Sequence, residues 1–85
     1  MEIEIAEIIT KHKLPILRSD DLDYDKELKT VFEIWRGAKK LSIYFYETET
    51  TLLRVWGPHI HDEMSEHDLT KATDVQSHIE WLIGG

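Results

Sequence analysis

The chain has no cysteine. Disulfide staples, thiolate metal sites and a cysteine nucleophile are therefore excluded. Only two prolines and four glycines punctuate its 85 residues, so a Gly-rich phosphate loop has little to be built from. No apolar run approaches the roughly 20 residues that a membrane-spanning helix needs, and the start lacks the makeup of a signal peptide. Basic residues are the minority: 10 Lys and Arg stand against 17 Asp and Glu, a formal charge of −7. So acidic a surface argues against binding to a phosphate backbone. From these absences we expect one small cytoplasmic domain over residues 1–85, with no membrane and no direct nucleic-acid partner. A hydrophobic content of 41% makes it globular rather than disordered.

What is present is concentrated between Val31 and Trp56. The runs TVFEIWRG, AKKLSIYFYE and TETTLLRVWG are rich in β-branched and aromatic residues and are separated by short polar or glycine-containing breaks. This pattern predicts an antiparallel three-stranded meander. Gly37-Ala38 suits a tight turn with glycine where positive φ is needed. Pairing across it sets Ile34 opposite Leu41 and Phe32 opposite Ile43. For the second hairpin, Phe45 opposite Leu53 and Ile43 opposite Val55 keeps one apolar face of Phe32, Ile34, Leu41, Ile43, Phe45, Leu53 and Val55. A slip of one residue would scatter that set over both sides, which pins the register.

The other face then carries Val31, Glu33, Trp35, Lys40, Ser42, Tyr44, Tyr46, Leu52, Arg54 and Trp56. Two tryptophans and two tyrosines there need a reason. Either a terminal segment packs over them, with Arg54 stacked on Tyr44, or they form a recognition surface, since Trp, Tyr and Arg dominate interface hot spots. Glu33 is expected to pair with Lys40 or Arg54 across the strands.

The flanks read less sharply. Ile5, Ile8, Ile9 and His12 fall at helical spacing, with glutamates early and lysines late, predicting a helix over residues 2–12 that Pro15 stops. Leu14, Ile16 and Leu17 then extend into the core. The segment SDDLDYDKE is a solvated linker or an acidic arm, with Asp20, Asp21 and Asp23 presenting carboxylates in a row. It lacks the central glycine of a calcium loop. In WGPHIHDEMSEHDL, His59 and His61 share one side of an extended backbone, and His67 could complete a tripod for zinc. Clustered histidines would also charge near pH 6. Near the end, Thr73 and Gln76 form a capping-box pattern before Val75, Ile79 and Leu82, predicting a helix over residues 74–83 with Trp81 off its apolar stripe.

The expected architecture is thus α+β: an N-terminal helix, the three-stranded meander and a C-terminal helix, with both helices on the apolar face. This layout, with the acidic balance, resembles that of several phage-encoded inhibitors, some anti-CRISPR proteins among them. The resemblance implies an acidic mimic of nucleic acid as one possible role. The residues themselves favour a non-catalytic protein-binding module, an inhibitor or accessory subunit. Its surface would be Trp35, Tyr44, Tyr46, Arg54 and Trp56 with an acidic rim, facing a basic partner or a second copy of the chain. No cofactor is expected; zinc on His59, His61 and His67 is the alternative.

Overall fold

In the computed structural model, residues 1–20, 27–57 and 65–84 are described. Helix α1 spans Glu2–Lys11, strands β1 to β5 span Leu17–Ser19, Leu28–Arg36, Lys39–Tyr46, Thr51–Trp56 and Ser65–Asp68, and a 3₁₀ turn at Ala72–Val75 leads into α2 at Gln76–Ile83. The sheet runs β1-β2-β3-β4-β5, antiparallel throughout. The expected class and order are therefore observed, but the sheet has five strands rather than three. The additions are its two edges. Leu-Arg-Ser in β1 and Ser-Glu-His-Asp in β5 are exposed along their whole length. Neither has the alternation that marks a half-buried strand, and only main-chain pairing reveals them.

The first hairpin has the expected register, with Ile34 opposite Leu41 and Phe32 opposite Ile43. Gly37 turns it with φ +59°. The second is tighter than expected: Ile43 lies opposite Leu53 and Phe45 opposite Thr51. Glu49 adopts a left-handed φ of +66° and its N–H donates to the Tyr46 carbonyl at 3.1 Å, closing the turn early. The shift amounts to two residues, so every side chain keeps its face.

Helix α1 buries Ile5 and Ile9 fully, and Lys13 in the left-handed region (φ +59°) ends it before Pro15 is reached. Leu14 enters the core as expected, whereas Leu17 is 59% exposed on the far side of the sheet. Opposite Glu33 in β1, its side chain cannot share the face of Leu14. Helix α2 contributes Ile79 and Leu82, with Val75 from the turn before it. Its entry is not the Thr73–Gln76 box. Asp74 Oδ2 instead accepts from the Thr70 and Lys71 amides at 3.1 and 3.0 Å and from Thr70 Oγ1 at 3.0 Å. These bonds satisfy donors that a helix start leaves free, and they lower the Asp74 pKa, the Lys71 amide most. Gln76 Nε2 lies 3.2 Å from His12 Nε2, joining the two helices.

Both helices cover the same side of the sheet. There Phe32, Ile34, Leu41, Ile43, Phe45 and Leu53 join Ile5, Ile9, Ile79 and Leu82 in one core. Phe32 and Phe45 meet edge to face at 4.8 Å. Trp81 lies partly buried against this core, with the Lys39 ammonium 4.6 Å above its ring and 2.7 Å from its carbonyl.

Candidate functional site

The face of the sheet opposite the helices is arranged in rows, because residues paired across antiparallel strands point the same way. On it Trp35 is exposed, Tyr44, Tyr46, Arg54 and Trp56 are partly buried, and Val31 is buried. One row is Trp35–Lys40–Trp56. The next is Leu17–Glu33–Ser42–Arg54–Glu66, and the third is Ser19–Val31–Tyr44–Leu52–Asp68. Tyr46 lies beyond them, opposite Leu28. Each aromatic of the expected surface therefore stands on this side. So do Glu66 and Asp68, which β5 supplies.

In the first row the Lys40 ammonium lies 4.8 Å from the Trp35 ring centre and 4.6 Å from that of Trp56. Both distances suit attraction between a cation and the negative face of an indole. Trp56 Nε1 donates to Ser42 Oγ at 3.1 Å, and Trp35 Nε1 to Glu33 Oε2 at 3.3 Å. Ser42 is buried beneath its taller neighbours, while Trp35 is 50% exposed. Gly57 lets the end of β4 lie against the Gly37–Ala38 turn: its φ is +95°, and a Cβ there would collide with the Ala38 carbonyl oxygen.

In the second row Arg54 stacks over Tyr44 at 4.7 Å, as the sequence suggested, and its Nε donates to Glu66 Oε2 at 2.8 Å. The bond to Glu66 is the main reason its pKa is raised. Glu33 serves the Trp35 indole, so the pairing expected with Lys40 or Arg54 gives way to Arg54–Glu66.

The other sequence candidates lie elsewhere. Asp20 Oδ1 accepts from Thr30 Oγ1 at 2.9 Å, tying the exit of β1 to β2. Thr30 shares the side of Phe32, away from the aromatic rows. Asp21, Asp23, His59 and His61 are outside the described residues. His67 stands opposite Leu53, on the helix side, with its ring 4.9 Å from that of His78. That neighbour is 11 positions along the chain and no spacing rule pointed to it. Burial lowers the His78 pKa, and His67 lowers it further against the opposing pull of Asp74. Among the described residues no group of three or more His, Cys, Asp or Glu is placed to hold a metal ion.

An open depression of about 820 Å³ lies between the start of α1 and the far ends of β3 and β4, lined by Glu2, Glu4, Glu47, Glu49 and Lys29 among others. Lys29 and Glu2 approach to 3.9 Å across it. No described helix is long and apolar enough to cross a membrane. Against known proteins, the chain matches no family model, no curated protein and no solved structure.

Proposed function

We propose that this chain is a non-catalytic protein-binding module, an inhibitor or accessory subunit, that docks through the face of its sheet opposite the helices. The observation that carries this reading is the one-sidedness of the fold. Both helices pack on the Phe32–Phe45 side, and the described residues place none of their helical mass over Trp35, Tyr44, Tyr46, Arg54 and Trp56. Large rings with a polar edge supply apolar contact area and hydrogen bonds together, the makeup of interface hot spots. Glu33, Glu66 and Asp68 on the same face, in a chain of charge −7, favour a partner with a basic surface.

The test is a paired capture from the native host with wild-type and Trp35→Ala/Tyr44→Ala baits, followed by titration of the recovered partner at two salt concentrations. The double variant is expected to melt near the wild-type temperature and to lose the partner, and wild-type affinity is expected to fall as salt rises. Equal retention by both baits overturns the docking face. Unfolding of the double variant also overturns it, because the rings would then belong to the core.

A further inference from the structure

The Trp35–Lys40–Trp56 row is more specific than a sticky patch. We propose that the two indoles form a cation cage whose resident Lys40 is a tethered stand-in, and that the intended occupant is a lysine or arginine side chain of the partner. This rests on the docking reading above and names what one part of the face recognises. The cage shows its own chemistry, since it already holds an ammonium 4.8 and 4.6 Å from its two rings. Indole faces flanking a cation are the arrangement that recognises ammonium ligands elsewhere in chemistry.

The walls and the occupant are held differently. Trp56 is fixed through Ser42, itself buried, and through the Gly57 approach to the Ala38 carbonyl. Trp35 is fixed through Glu33. These anchors do not involve the Lys40 ammonium, so the walls stand when it leaves. Lys40 itself is a charge on a flexible four-carbon stem, free to swing toward water when another cation enters. Glu33 at the rim supplies a counter-charge for the newcomer, and the half-exposed Trp35 leaves a way in. A tethered competitor lowers the apparent affinity for a free one through its effective concentration, so its removal should strengthen binding.

The experiment follows the three indole N–H resonances of the full chain by NMR while tetramethylammonium chloride is added at constant ionic strength. Trp81, on the other side of the sheet, is the internal control. In Lys40→Met, which keeps the stem and removes the charge, the Trp35 and Trp56 signals should shift with a half-saturation at least about tenfold below that of wild type. The Trp81 signal should stay still, and Lys40→Met/Trp35→Ala should show no saturation. An acetylated tetra-arginine or tetra-lysine peptide should give the same pattern. Lys40→Gln replaces Lys40→Met if the latter does not fold. Indoles that respond no better in the folded variant than in wild type overturn the cage. A response to tetramethylammonium without one to either peptide overturns the basic side chain as occupant. Either failure leaves the partner-capture result standing, since no partner enters this titration.

Discussion

The two faces of this sheet hold aromatic residues of different kinds for different ends. On one, Phe32 and Phe45 are buried on the helix side, in contact with each other and packed in one core with aliphatic side chains, with the Arg18 guanidinium 4.9 Å from the Phe32 ring at the sheet edge. On the other, Trp35 and Trp56 keep their indole N–H groups in hydrogen bonds, and the rings of Trp35, Trp56 and Tyr44 lie against Lys40 and Arg54. The backbone is common to both, and only the odd or even position of a residue decides which side it joins. Phenylalanine has no polar atom to satisfy and so belongs where water is excluded. An indole or phenol can be half wet and still well ordered.

That contrast can be broken most strongly at Phe32. Phe32→Ala should lower stability by about 3–5 kcal/mol, as cavities in packed cores do, whereas Trp35→Ala should cost no more than about 1 kcal/mol, the value of an exposed cation–ring contact. Urea unfolding of the two variants checks this, and similar losses would erase the distinction between the faces. Gly57→Ala should come next, at about 1–3 kcal/mol for backbone strain, with a change in the Trp56 environment visible in near-UV circular dichroism. The Arg54–Glu66 pair sharpens the comparison on the open side. A double-mutant cycle with alanine should give a coupling of only about 0.2–1 kcal/mol that shrinks as salt is added.

The smallest effect is expected from pH on the covered side. Burial and His67 hold the His78 pKa below its ordinary value, so the unfolded chain takes up a proton more readily than the folded one. Folded stability should therefore be fully present above the ordinary histidine pKa of about 6.5 and decline as pH falls through the window between that value and the lowered one. Thermal melts from pH 7.5 downward should show the decline, and His78→Gln should reduce it. A decline unchanged in His78→Gln would assign it to other groups.

Much of this contrast was legible in the residues. Alternation alone sorted Phe32, Ile34, Leu41, Ile43 and Phe45 from Trp35, Lys40, Tyr44 and Trp56, and Gly37 set the first register. The second register needed the left-handed turn at Glu49, a conformation that glutamate does not advertise. Strands β1 and β5 were invisible because their side chains bury nothing. With them went Leu17, Glu66 and Asp68 as parts of the open face, and the placement of His67 on the other one. The entry to α2 was misassigned because Thr73 and Gln76 match a capping pattern, while Asp74 reaches back to Thr70 and Lys71 and does the work first.

The two strands that escaped the sequence also limit how copies of this molecule can aggregate. Two β5 edges brought together would set Glu66 and Asp68 against their own kind, and two β1 edges crossing about Arg18 would oppose guanidinium to guanidinium. Pairing of like edges is thereby discouraged at each margin, whereas β1 of one copy against β5 of the next would bring Arg18 toward Glu66 and Asp68. Edge-to-edge contact between copies is thus steered to a head-to-tail sense, which does not close into a symmetric pair.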